Sequence, residues 1–173
     1  MSSFIRDKSG FTLIELMVVI TIISILFVGS YVPYDYYSRL SKVHVSINRV
    51  QQTLENTKIF SQNGQLFPGT TKNANTGLLI KKGAHTMNIV ALLPGTRSFI
   101  ENENTKIIKT VSLENGVNIN TIPYDTILIE YTAPRGDMEI YISPTQTGAN
   151  FDIGVGWKQV TSGTLYKAVK IEK

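Results

Sequence analysis

Residues 8–35 read KSGFTLIELMVVITIISILFVGSYVPYD. From Phe11 to Val32 this is a run of 22 residues in which Glu15, close to one end, is the only side chain charged at neutral pH. As a helix rising about 1.5 Å per residue the run reaches roughly 33 Å, enough for a hydrocarbon core of about 30 Å. Arg6 and Lys8 precede it, so the positive-inside rule keeps Met1 to Gly10 in the cytoplasm and sends everything after Tyr34 outward. A secretory signal fits poorly, because its apolar region usually runs about 7 to 15 residues and ends in an A-x-A-like cleavage site.

A plain single-span anchor has no use for Glu15, since an ionised carboxylate deep in a bilayer costs about 2.5–3.5 kcal/mol even on lenient scales. Such a residue is expected to face a cation. Cutting the chain after Gly10 would supply one, the α-amine of Phe11, whose unperturbed pKa of about 7.7–8.0 leaves it largely protonated at neutral pH. Phe11 and Glu15 are four residues apart, so the pair can form within one helix or between copies. In a bundle of such helices, Glu15 of one copy would neutralise the Phe11 amine of the next in a low-dielectric core and set its axial register.

The residues G-F-T-L-I-E at 10–15, the short basic leader and the apolar run together resemble the prepilin signature of type IV pilins, type II secretion pseudopilins and competence pilins. The resemblance implies a prepilin peptidase and methyltransferase that cuts between Gly10 and Phe11 and methylates the Phe11 amine, which stays cationic. It further implies a homo- or heteropolymer with other pilins or pseudopilins, raised from an inner-membrane assembly platform, with assembly carried by Phe11 and Glu15. Ser9 stands where many relatives carry Lys or Arg. The chain also has no cysteine, whereas many type IV pilins close a C-terminal loop with a disulfide.

With 173 residues there is room for this segment and one domain of about 100 to 150 residues. The net charge of +4, from 17 Lys and Arg against 13 Asp and Glu, is scattered and forms no basic arm. Beyond the span, Leu40, Val43, Ile47, Val50 and Leu54 recur at spacings of three and four, one face of an amphipathic helix expected to pack on the following domain. The whole helix is expected from about Phe11 to Gln62. Pro33 deprives the carbonyl of Gly29 of its donor, and Gly29 and Ser30 weaken the same turn, so a kink or a locally melted stretch is expected at Gly29–Pro33.

From Asn63 onward glycines and prolines punctuate runs rich in Ile, Val, Thr and Tyr, which read as strands. The runs are GLLIKK, HTMNIVALL, KIIKTVSLENGVNIN, DTILIEYTA, MEIYIS, FDIGVGW and LYKAVKIEK. Glu114-Asn115-Gly116 and Pro134-Arg135-Gly136-Asp137 offer hairpin turns. In VKIEK, Val169 and Ile171 alternate with Lys170 and Glu172, as in a half-exposed strand. Two sheets packed on the C-terminal half of the helix give an α+β, pilin-like fold, nearest by resemblance to the H-type pseudopilins.

No paired carboxylates, nucleophile elbow or phosphate-cradling loop stands out, so no enzymatic activity, catalytic residue, metal or cofactor is expected. His44 and His85 read as surface or packed residues. Gly154 to Gly156 lacks the spacing of a dinucleotide fingerprint and reads as a strand bend. Arg135-Gly136-Asp137 matches an adhesion tripeptide but sits where a hairpin needs a turn. Trp157, Tyr131 and Tyr141 have faces on which bases or sugars can stack, yet sheet aromatics usually pack across strands; DNA binding has no further support. The expected organisation is a leader at 1–10, a transmembrane and polymerisation helix at 11–34, an amphipathic helix at 35–62 and a β-rich domain at 63–173. The expected function is a filament subunit, held in the cytoplasmic membrane before assembly and at the cell surface after it. A monomeric, membrane-anchored binding module is the alternative.

Overall fold

The computed structural model describes residues 11–96, 98–142, 145–147 and 150–172. One helix, α1 (Leu13–Gln62), is followed by β1 (Asn75–Lys81), β2 (Thr86–Leu92), β3 (Thr105–Ser112), β4 (Val117–Thr121), β5 (Thr126–Thr132), β6 (Asp137–Ile142), β7 (Thr145–Thr147), β8 (Phe151–Trp157) and β9 (Tyr166–Ile171). The chain divides between Ser38 and Arg39 into two compact units. In the first, apolar side chains face outward all round α1 from Leu13 to Val28. In the second, the rest of α1 packs on two antiparallel sheets, one ordered β3-β2-β1-β5-β6-β7 and the other β4-β8-β9. The molecule is α+β, a long N-terminal helix followed by a β-rich domain.

The helix stripe enters the core as its spacing predicts. Val43, Ile47, Val50 and Leu54 are buried with Leu78, Ile80, Ile89, Ile127 and Ile129 of the larger sheet and Val117, Ile119, Ile153, Val155 and Val169 of the smaller one. Each such side chain contributes about 1.5–3 kcal/mol by leaving water. Leu40, expected to open the stripe, is only half-buried. The buried face continues instead through Ser46, Thr53, Thr57 and Ser61. These hydroxyls are tolerated because they find partners: Thr53 Oγ1 donates to the Arg49 carbonyl at 2.6 Å, Thr57 Oγ1 to the Thr53 carbonyl at 2.6 Å, and Ser61 Oγ to the Tyr131 carbonyl at 2.8 Å. Thr76 of β1 donates to the Thr57 carbonyl at 2.9 Å, tying the sheet to the helix.

Most strand runs form strands, with one correction and one addition. The Glu114-Asn115-Gly116 turn does not join a hairpin. β3 belongs to the larger sheet and β4 to the smaller, so the turn is a crossover between layers. Helix α1 holds it there: Arg49 pairs with Glu114 at 2.9 Å and donates to the Ser112 carbonyl at 2.7 Å, while Ser46 Oγ accepts from the Glu114 N–H at 3.0 Å. Leu113, between Ser112 and Glu114, is buried in the core. The addition is β7, which pairs with β6 from Ile142↔Thr145 to Ile140↔Thr147. The second expected turn does join a hairpin, with Thr132 of β5 opposite Asp137 of β6. In β9, Val169 and Ile171 point into the core while Lys170 and Glu172 pair outside at 2.6 Å.

Candidate processing and assembly site

The head of α1 is built by residues 11–15. Phe11 precedes the helix and is 86% exposed. Thr12 is the N-cap: its hydroxyl accepts the Glu15 N–H at 3.3 Å, and the Glu15 carboxylate accepts the Thr12 N–H at 2.8 Å. The same hydroxyl donates to Glu15 Oε2 at 2.7 Å. This is a reciprocal capping box, the T-x-x-E pattern in which two otherwise orphaned N–H groups at a helix start are satisfied by side chains. The positive end of the helix dipole adds to the attraction.

Glu15 is expected from the sequence to face a cation, the freed amine of Phe11. It has Thr12 as well, and Thr12 is the residue that the sequence reading missed, although T-L-I-E spells the capping pattern. Both bonds converge on Oε2, so the cap leaves Oε1 uncommitted. A cap therefore aims the carboxylate at the end of the helix where Phe11 lies. Gly10, the other half of the expected cleavage site, lies outside the described residues.

The serine and remaining threonine hydroxyls of the apolar run are satisfied within the helix. Thr21 Oγ1 donates to the Met17 carbonyl, Ser24 Oγ to Ile20 and Ser30 Oγ to Leu26, each at 2.8 Å. Such internal pairing is what a non-aqueous surrounding demands. Across Gly29–Pro33 the chain stays helical, so the expected weak turn does not interrupt α1. Among the described residues α1 is one helix long and apolar enough to cross a membrane, and it fits a membrane-anchored precursor.

The other singled-out residues have structural partners. His44 is exposed on α1, and His85 Nδ1 lies 2.9 Å from the Val117 carbonyl. Among the described residues no three His, Cys, Asp or Glu are grouped to hold a metal. Gly136 adopts a φ of 73° in the β5–β6 turn against the side chain of Gln62, with Arg135 and Asp137 exposed beside it. Tyr131 and Tyr141 are buried, and Tyr141 donates to the Glu139 carboxylate. Trp157 lies against Gly116, with the Arg39 guanidinium 5.3 Å and the Lys42 ammonium 5.5 Å from its ring centre. Its face is therefore already used by cations of its own chain. Gly154 and Gly156 leave room for the Tyr166 side chain and the Val160 carbonyl within a strand paired on both sides, which is a close approach and not a bend.

Residues 5–31 match the prokaryotic N-terminal methylation motif. No curated protein and no solved structure matches the chain. A capped carboxylate five residues into the expected mature chain, at the head of an outward-facing apolar helix, thus coincides with a motif found independently over the same residues. The chain carries the N-terminal methylation motif that is the hallmark of type IV pilin-like proteins.

Proposed function

We propose that this protein is a structural subunit of a type IV pilus-like or pseudopilus filament, polymerised through its N-terminal helix. The precursor is held in the cytoplasmic membrane with its leader inside; a prepilin peptidase cuts between Gly10 and Phe11 and methylates the new amine. The observation that carries this reading is the Glu15 carboxylate, capped by Thr12 at the head of the otherwise uncharged apolar run of α1 within the methylation motif. An incoming Phe11 amine would meet a carboxylate already oriented, with Oε1 available. In a low-dielectric bundle that pair is strong only when both charges are present and well placed. Glu15 keeps its cap in the dispersed precursor, so the drive to assemble comes from the added amine contact and not from rescue of a naked charge.

Among the described residues nothing covers the apolar side chains of α1 from Leu13 to Val28, and either lipid or neighbouring helices do so. Gly29 and Pro33 are proposed as the place where α1 bends when subunits pack. Mass spectrometry of the protein from its native host tests the processing step. A terminus at methylated Phe11 is expected; an intact Met1 or a cut elsewhere contradicts it.

A further inference from the structure

Four tyrosines stand within seven residues at the outer end of the apolar run: Tyr31, Tyr34, Tyr36 and Tyr37, exposed by 73%, 74%, 40% and 66%. On a helix of 3.6 residues per turn, taking Tyr31 as zero, they project at about 0°, 300°, 140° and 240°. No gap between them exceeds about 140°, so they ring the helix, whereas a stripe that packs on one partner occupies a sector of about 100°. The rings of Tyr36 and Tyr37 meet edge to face, with centres 5.8 Å apart.

Their height along the axis is equally informative. Phe11 to Tyr31 is twenty residues, about 30 Å of helix, matching the hydrocarbon thickness of a bilayer. Tyr31 to Tyr37 adds about 9 Å, enough to span the roughly 5–7.5 Å of one headgroup layer. A ring that is apolar in body and polar at the tip, placed at that height, suits a zone that is apolar below and wet above.

We propose that Tyr31, Tyr34, Tyr36 and Tyr37 form an aromatic belt that binds the phospholipid headgroup layer on the outer face of the membrane and sets the depth of the precursor helix. The proposal rests on the membrane-held precursor described above. Glu15 lies sixteen residues before Tyr31, about 24 Å along the axis, so the belt holds the carboxylate about 6 Å inside the cytoplasmic edge of the core. Slippage of one turn inward, the movement that loss of the belt allows, would carry it about 5 Å toward the cytoplasm, almost to the edge of the core.

The chain has no cysteine, so single labels report their own position. Full-length protein is reconstituted in phosphatidylethanolamine–phosphatidylglycerol vesicles with Leu26→Cys, Val28→Cys, Val32→Cys, Asp35→Cys or Ser38→Cys, spin-labelled, and read by collision with oxygen and with a water-soluble nickel chelate. This is done in the native background, with all four tyrosines changed to Trp, and with all four changed to Leu. The crossover from oxygen to nickel access is expected within residues 31–37 in the native and Trp proteins. In the Leu protein, which keeps the apolar surface but not the interfacial preference, it should move toward the C-terminus by about one helical turn. An unmoved crossover in the Leu protein, or an equal movement in the Trp protein, overturns the belt. Self-association lost in the Leu protein with its depth unchanged also overturns it, assigning the tyrosines to a second copy of the chain. Alkaline carbonate extraction tells anchoring from depth: native protein that washes out overturns the membrane-held precursor, whereas protein that stays in with no change of depth in the Leu variant overturns the belt alone.

Discussion

Thr12 separates two roles that Glu15 combines. Thr12→Ala deletes the hydroxyl that accepts the Glu15 N–H at 3.3 Å and donates to Oε2 at 2.7 Å, but keeps the backbone N–H that reaches the carboxylate at 2.8 Å. Loss of an N-cap hydroxyl costs about 0.5–2 kcal/mol, which corresponds to a roughly 2- to 30-fold rise in opening of the first turn. The assay is amide hydrogen exchange of Leu13, Ile14 and Glu15 in the full chain, held in lipid nanodiscs. Exchange at Glu15 should accelerate about tenfold in Thr12→Ala, the middle of that range. Thr12→Ser, which keeps the hydroxyl, should match the native chain. Glu15→Gln should also stay near the native rate, because glutamine fills the same place in a capping box. Equal exchange in Thr12→Ala and native protein would refute the cap, and a fast Glu15→Gln would show that charge and not hydrogen bonding holds the turn.

The remaining predictions concern the second unit. A fragment beginning at Ser38 should fold alone as a β-rich monomer and be indifferent to reductant, checked by circular dichroism and light scattering; an unfolded or aggregated product contradicts the boundary. In the second unit burial pushes the Tyr131 hydroxyl from its ordinary 10.0 up to about 12. The folded state therefore keeps a proton that the unfolded chain gives up near pH 10. Stability from this group is complete below pH 10 and falls as pH rises through 12, by roughly 3 kcal/mol in all. Urea unfolding between pH 9 and 12 should show that loss in native protein and a smaller one in Tyr131→Phe. Equal slopes would remove Tyr131 as the cause. Gly156→Ala should cost about 1–3 kcal/mol by overpacking, because a Cβ there meets the rigid Val160 carbonyl and the Asn120 amide. An unchanged urea midpoint would mean that the loop after β8 yields freely.

Much of this architecture was legible in the sequence because a few periodicities are unambiguous. The 22-residue apolar run and the three-and-four spacing of Val43, Ile47, Val50 and Leu54 are signals that only a helix can satisfy. The extension of the buried face through Thr57 and Ser61 was hidden, because hydroxyl residues read as solvent-facing until their acceptors, the carbonyls of Thr53 and Tyr131, are known. Glu114-Asn115-Gly116 marked a turn correctly, but turn residues do not say which sheet the next strand joins. That choice was made at long range by Arg49 and Ser46 on α1. β7 has only three residues, Thr-Gln-Thr, and carries no alternation to read. At the head of α1 the cleavage pattern singles out Phe11 and Glu15. Thr12 is equally visible, as the first residue of T-x-x-E, but the capping and cleavage patterns share Glu15 and the letters alone do not separate them.

The central claim is that the charge of Glu15, and not its place in the cap, admits a subunit to the filament. The direct measurement is the ratio of subunit in sheared or overexpressed filaments to subunit in membranes, in the native host, for native protein, Glu15→Gln, Glu15→Leu and Thr12→Ser. Glu15→Gln keeps shape, an acceptor and the cap but removes the charge; Glu15→Leu removes both; Thr12→Ser keeps both. Both Glu15 variants should remain in the membrane and be largely missing from filaments, while Thr12→Ser assembles normally. Normal incorporation of Glu15→Gln and Glu15→Leu would contradict the account and leave the chain as a membrane-tethered module whose carboxylate only caps a helix.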